Sequence, residues 1–385
     1  MRRVYLDHNA TTPVREEVLA AMLPYFSERF GNASSVHSFG REARRALEEA
    51  RETIARAIGA EPSEVLFTGS GTEADNTAIK GVALAQREKG RHIITSKVEH
   101  KAVLETCKFL EKQGFRVTYL PVDRTGMVSP ESVEEAIEED TILVSVMHAN
   151  NEVGTVNPIA RIGAICRERG ILFHTDAVQS FCKLPIQVRE MNIDLASFSA
   201  HKIYGPKGVG ALFVRRGVRF LPLLHGGEHE RNRRAGTENV PGIVGFAKAV
   251  ELALAEREEE CQRLTRLRDR LWEGIRRRIE RVHLNGHPTE RLPGTLNVSF
   301  EGVEGESILL SLDLKGVAAS SGSACTSGSL SPSHVLAAMG IPPELAQSAV
   351  RFSLGRSNTE EDIDYTVEIL PEIVARLRQM SALEV

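Results

Sequence analysis

The chain has 385 residues, 42% of them hydrophobic and 26% charged, with a formal net charge of −4. That is soluble globular composition, long enough for more than one domain, and its charge balance points away from a nucleic-acid binder or a membrane-surface protein. The opening MRRVYLDHNATTP has two arginines and no apolar stretch behind them, so no secretory leader is expected, and no later run is long enough to cross a membrane. The five cysteines, Cys107, Cys166, Cys182, Cys261 and Cys325, are widely spaced and form no C-x-x-C pair. A disulfide framework or structural zinc is therefore not expected, and a reducing cytoplasm is.

Along the chain, Thr12 and Pro13 read as an N-cap and first helical residue. EVLFT reads as a strand, followed by a helix over roughly 72–89 that stops at Gly90. HIITS is a second strand, with a helix to Gln113 that stops at Gly114. RVTYL, TILVSVM, GILFHT and DLASFSA are further short β-branched runs, with helices PESVEEAIEE and PIARIGAICRERG between them, and GALFV ends the series. Strands alternating with helices predict an α/β fold with a mainly parallel, doubly wound sheet of about seven strands. From about Ala255 one long amphipathic helix, with Leu264, Leu267, Leu271, Ile275 and Ile279 on one face, leads into a second part. There TLNVSF, ESILLSL, VRFSLG and a final helix opened by a Thr359…Asp362 capping box predict a smaller α/β layer.

Open parallel sheets bind ligands beyond the carboxyl ends of their strands, where loops converge and helix N-termini point into the gap. Five successive strand ends here deliver Gly-Ser-Gly-Thr ending in Thr72, Lys97 to His100, His148 to Glu152, Asp176 to Gln179, and His201-Lys202. GSGT fits a phosphate cradle and equally a tight turn with a cap, and it lacks the Gly-Lys-Ser/Thr of a Walker loop. Lys202, beside the small residues of SFSAH, fits a desolvated Schiff-base amine or a surface lysine. Asp176 at a buried strand end fits a partner for a protonated pyridine nitrogen or a helix cap. An acid for a ring nitrogen, a lysine for an aldehyde, and hydroxyls with N–H groups for a phosphate are the three anchors of pyridoxal 5′-phosphate. His225-Gly226-Gly227-Glu228-His229 matches a zinc-peptidase pattern that requires a helix, and its two glycines with Pro222 ahead argue against one.

The stretches YLDHNATTP, FTGSGTEADNTAIKG, SKVEHKAV, HANNEVG, HTDAVQS, SFSAHKIYGPKGVGAL, RRAGTEN, SSGSACTS and VRFSLGR together resemble the cysteine desulfurases, aminotransferase-like enzymes of pyridoxal-phosphate fold type I. The resemblance covers nearly the whole chain. It implies a large domain over 12–257 and a small domain made of 1–11 and 258–385, the latter carrying a mobile cysteine loop at about 320–332. By resemblance Lys202, Cys325 and His100 are catalytic. Lys202 holds the cofactor's aldehyde, and His100 stacks on the ring and moves protons. Asp176 pairs with the ring nitrogen and Gln179 with the ring hydroxyl. Gly71, Thr72, Ser199 and His201 bind the phosphate, joined by Thr237 of a neighbouring subunit, which implies a homodimer. Asn151 contacts cofactor and substrate, and Arg351 holds the carboxylate of L-cysteine.

The resemblance also implies the reaction. Cys325 takes the sulfur of L-cysteine as a persulfide, L-alanine leaves, and the sulfur passes to an iron–sulfur scaffold protein or another acceptor, such as one for tRNA thiolation. The Gly/Ser-rich neighbours of Cys325 suit a swinging thiol better than a buried, inert one. The linker TSGSLSPS resembles the group with an extended loop that hands sulfur directly to partners. No metal is required, and transient ligation of a cluster by Cys325 stays open, as does selenocysteine lysis. Two departures stand out. Ala33 replaces a common proline, and the chain stops at LRQMSALEV, short of the tail that often contacts the scaffold, which leaves the mode of docking open.

Overall fold

The structure is a computed structural model that describes residues 2–321 and 332–380. Its strands are β1 (Val4–Tyr5), β2 (Val65–Thr68), β3 (His92–Ser96), β4 (Arg116–Leu120), β5 (Thr141–Ser145), β6 (Leu172–Asp176), β7 (Leu195–Ser199), β8 (Gly210–Val214), β9 (Val282–Asn285), β10 (Thr295–Phe300), β11 (Val317–Ala318) and β12 (Ala349–Ser353). Seven of them form one sheet in the order β2-β8-β7-β6-β5-β3-β4. The predicted mainly parallel, seven-stranded α/β sheet is present. β8 runs against both neighbours, β2 and β7, while the other six share one direction.

The strands are apolar on both sides because both sides are covered. Leu66, Ile93, Leu143, Leu195 and Leu212 face one apolar cluster with Ile79 and Val82 of the helix Gly71–Gln86 and Val103 of the helix Lys101–Glu111. Their neighbours Phe67, Ile94, Val144, Ala196 and Phe213 face another, with Ile54 of the helix Ser38–Ile58, Ile162 of Ile159–Glu168 and Phe246 of Val240–Arg278. The strand order reverses at β3, with β4 outside it and β5, β6 and β7 stepping the other way. Such a reversal opens a crevice at the carboxyl ends, and β3 and β6 deliver His100 and Asp176 beside it.

A separate apolar cluster surrounds the antiparallel sheet β12-β10-β9. Leu267, Leu271, Ile275 and Ile279 from the predicted helix face lie in it, with Ile363, Leu370 and Ile373 of the final helix Glu360–Met380. The first residues join this cluster: Val4 and Leu6 are buried in it, and β1 pairs with β11. The Thr359–Asp362 capping box is formed, each backbone N–H donating to the other side chain. ESILLSL lies within the helix Gly305–Leu314.

Two expectations need correction. The long helix begins at Val240, not near Ala255. Asn239 caps it, accepting from Gly242 N–H, and Pro241 occupies its first turn. Thr12 is not an N-cap, since the next helix starts at Glu16. Its hydroxyl instead donates to the carbonyl of His201 at 2.9 Å and accepts from Tyr204 N–H at 2.8 Å, tying the N-terminal segment to the turn that carries Lys202. Among the described residues no helix is long and apolar enough to cross a membrane.

Candidate active site

The five strand ends singled out in the sequence lie along one edge of the sheet, because β2, β3, β5, β6 and β7 run the same way. After β2, Ser70 caps the helix Gly71–Gln86 by accepting from Glu73 N–H at 3.1 Å. Gly71 is required by close approach: a Cβ there would stand 2.6 Å from Val178 Cγ2 and 3.5 Å from Ser199 Cβ. The first helical turn therefore sits against the ends of β6 and β7. Glu73 accepts from Gly69 N–H at 2.7 Å and from Arg234 Nε at 2.8 Å, which fixes the turn. Thr72 is exposed at this helix start, and Ser199 is buried.

After β7, His201 and Lys202 lie on the short turn Ala200–Lys202. Burial lowers the His201 pKa to about 4, with the nearby Lys202 and Lys207 charges acting in the same direction, so the ring is neutral; its Nδ1 lies 3.1 Å from Thr11 Oγ1. Lys202 Nζ donates to the carbonyls of Asn9 and Ala10, the latter at 2.8 Å. Gln179 Nε2 donates to the same Asn9 carbonyl at 3.0 Å, and Gln179 Oε1 is buried with no hydrogen-bond partner among the described residues.

Asp176 closes β6, and its Oδ1 accepts from Val178 N–H at 2.9 Å. Burial raises its pKa, opposed by the charges of His100 and Lys202. Two further acids lie within its electrostatic reach. Asp75, on the helix covering that face of the sheet, is held well above the carboxylate range by burial and by Asp176. Burial pushes Glu99 up to about 8, although Ser96 Oγ donates to it at 2.6 Å and Met147 N–H at 3.0 Å. His174 shares the strand face of Asp176. Its Nδ1 meets Ser145 Oγ at 2.8 Å, and its Nε2 meets Ser197 Oγ at 3.0 Å and lies 3.6 Å from Asp75 Oδ1. Burial lowers the His174 pKa to about 3, so this layer is neutral around Asp176.

His100 caps the helix Lys101–Glu111, its Nδ1 accepting from Ala102 N–H at 3.1 Å, which places the proton of the neutral ring on Nε2. Arg351 is buried on β12 and paired with Asp7 at 2.8 Å. Its Nη1 donates to the carbonyl of Asn151 at 3.0 Å, which joins these two predicted substrate residues directly. Asn151 also accepts from Asn9 Nδ2. Cys325 lies outside the described residues, but both flanks of its segment reach this site. Ser320 exchanges backbone hydrogen bonds with Arg351, and His334 Nε2 lies 2.9 Å from the carbonyl of Glu99. Thr237 is exposed beside Gly69 and Arg234. Residues 225–229 are not helical, and His229 pairs with Glu238 at 3.1 Å, so the zinc-peptidase pattern lacks its geometry.

Sequence reasoning missed Asn9, Asp75, Glu99 and His174. Asp75 follows Thr72 by three positions on the same helix, and Glu99 immediately precedes His100. For Asp75 the available signal was an acid on the same helix face as the buried Ala78, Ile79 and Val82.

The profile of the family described as aminotransferase class-V matches residues 4–366. The chain is 59% identical to a protein named cysteine desulfurase IscS from Methanosarcina thermophila, over 99% of this chain and 94% of that one. Among solved structures it resembles a NifS-like protein with a TM-score of 0.92 at 43% identity, covering 98% of this chain and 100% of that one. It also resembles a structure described as SspA in complex with cysteine, with a TM-score of 0.82 at 43% identity, covering 91% of this chain and 98% of that one.

Proposed function

The chain belongs to the class-V aminotransferase family and is a cysteine desulfurase, and on that premise we propose how its residues carry out the reaction. The observation that carries the reading is the convergence of Lys202, Asp176 and the orphaned Gln179 Oε1 beside the Gly71 helix start. These residues fit pyridoxal 5′-phosphate: a buried acceptor without a donor suits a ring hydroxyl, a buried acid suits a ring nitrogen, and a glycine-lined helix N-terminus suits a phosphate. Gly71, Thr72, Ser199 and His201 would hold the phosphate, and Lys202 the aldehyde. When bound, the cofactor supplies an electron sink for the substrate.

The remaining chemistry belongs to the side chains. Arg351 and Asn151 orient the carboxylate of L-cysteine, a task suited to a fork of two N–H groups. His100, with its ring held by the Ala102 N–H, moves protons at Nε2. The neutral layer of Asp75, Glu99 and His174 leaves Asp176 as the acid that faces Lys202 and His100. Cys325 takes the sulfur: an S–S bond forms as the C–S bond of the substrate breaks, the carbon fragment keeps that electron pair and is protonated, and L-alanine leaves. In sum, one thiol and L-cysteine become one persulfide and L-alanine.

A sulfur acceptor must follow, an iron–sulfur scaffold protein or a thiolation partner. The separate apolar clusters support a large domain over 12–257 and a small domain of 1–11 and 258–385. Exposed Leu23, Phe26, Phe30 and Phe39, the last two with ring centroids 5.7 Å apart, support a homodimer in which Thr237 serves the neighbouring site. Free thiols at Cys107, Cys166, Cys182 and Cys261 support a cytoplasmic setting. The test is an alanine and persulfide assay on wild type and Cys325→Ser. The variant should keep the bound cofactor and fail to form persulfide; normal desulfuration by it would defeat the reading.

A further inference from the structure

Another cavity touches, of the residues assigned to the cofactor, only Lys202. It lies between the Cys182-Lys183 turn, the middle of the helix Val240–Arg278, and the segment Leu292–Thr295. Its free volume is about 70 Å³, several times what a single water needs. Leu264, Leu292, Pro293 and Leu354 make much of the wall apolar.

The charges around it do not balance. Glu256 is paired with Arg15 at 2.8 Å and lies 3.4 Å from Arg356, and Glu260 is paired with Arg263 at 2.8 Å. Lys183 and Arg257 also line the cavity, and neither has an ion pair among the described residues. Lys202 adds a further amine at one end, and the remaining titratable neighbours are neutral. Burial raises the thiols of Cys182 and Cys261, holds the His8 ring at about 4 and pushes the Tyr204 phenol to about 12. Cys182 has φ +60°, a left-handed conformation held by its surroundings, and it turns the chain directly into Lys183. Cys261 Sγ, 3.2 Å from the Lys183 carbonyl, closes the other side. Burial pushes the Lys183 amine down to about 8, so it is charged at neutral pH, with no ion-pair partner among the described residues.

We propose that this cavity binds a small organic carboxylate, its anionic end on the Lys183 ammonium and its carbon chain against Leu264, Leu292 and Leu354. An apolar wall favours an acid with a short carbon body over a bare inorganic anion, and the volume limits it to a few carbons. The site is separate from Arg351, which holds Asp7.

Calorimetric titration of the holoenzyme with sodium propionate at constant ionic strength tests this. Saturable binding is expected at pH 7, at least ten-fold weaker in Lys183→Met, retained in Lys183→Arg, and unchanged in Arg351→Lys. With an amine near pKa 8 as the anchor, wild-type affinity should fall about ten-fold between pH 7 and pH 9. The pH series also decides the matter should Lys183→Met fail to fold. Equal binding of propionamide, equal competition by chloride, binding indifferent to Lys183→Met and to pH, or loss in Arg351→Lys would each overturn the proposal. None of these readouts depends on desulfuration.

Discussion

Ser333 donates its hydroxyl to the buried carboxylate of Glu152, the residue after Asn151. Ser333 also caps the helix His334–Ala338, accepting from the N–H groups of Val335 and Leu336. One side chain thus fixes the chain that leaves the Cys325 segment to the loop that carries Asn151, the residue proposed to hold substrate. A hydrogen bond to a charged group contributes about 1.5–3 kcal/mol, and a cap about 1 kcal/mol. Ser333→Ala should lower the melting temperature by several degrees and slow persulfide formation several-fold, with the cofactor spectrum unchanged. Rapid-quench trapping of the persulfide beside a visible spectrum checks both.

Lys202→Ala should lose the visible absorbance of the lysine-bound cofactor and at least a thousand-fold in alanine production. The Lys202 amine also donates to the Asn9 and Ala10 carbonyls, so its removal frees two acceptors at the N-terminal segment. Absorbance before and after dialysis against cofactor, with an alanine assay, is the measurement.

Gly71→Ala places a methyl group 2.6 Å from Val178 Cγ2, inside contact distance, on a backbone that alanine can otherwise adopt. Overpacking of this kind costs about 1–3 kcal/mol. Cofactor affinity should drop ten-fold or more, and the added change Val178→Ala should restore most of it. Equilibrium dialysis of the cofactor on single and double variants reads the coupling.

Glu99 gives a pH dependence whose sign is fixed by burial. Its carboxyl titrates near 4.5 when unfolded and at about 8 when folded, so between those values the folded state binds the extra proton. Stability is then greatest below the lower value and falls as pH rises through the window. Glu99→Gln should flatten that part of the curve, measured by urea midpoints from pH 5 to pH 8. An unchanged slope would show that Glu99 is not the group responsible.

Arg351→Lys keeps the charge and loses the fork that reaches both Asp7 and the Asn151 carbonyl. The KM for L-cysteine should rise at least ten-fold while cofactor absorbance stays intact. Steady-state kinetics with a parallel spectrum distinguish this from a folding defect.

The strand ends were legible because each apolar run stops at a polar residue, and the doubly wound pattern orders them on one edge. That β8 is reversed was not legible, since a strand covered on both faces carries the same apolar run in either direction. The start of the helix at Val240 was hidden by Gly242 and Gly245. Gly245 is there for room, since a Cβ would come within 2.5 Å of Met22 Sδ. Thr12 misled for a related reason: a Thr-Pro pair looks like a helix start, and only tertiary structure turns the hydroxyl toward His201. The acids behind Asp176 escaped notice because a carboxylate announces no buried neighbour until its segment is docked.

The N-terminal residues bridge two bodies of the molecule. Val4 and Leu6 anchor in the apolar packing around β10 and β12, and a few residues later Asn9 and Ala10 present their carbonyls to Lys202. Trimming the protein past Leu6 would therefore unfasten a strap that runs from one apolar mass to the Lys202 amine of the other. An affinity tag placed ahead of exposed Arg3 would leave the strap intact.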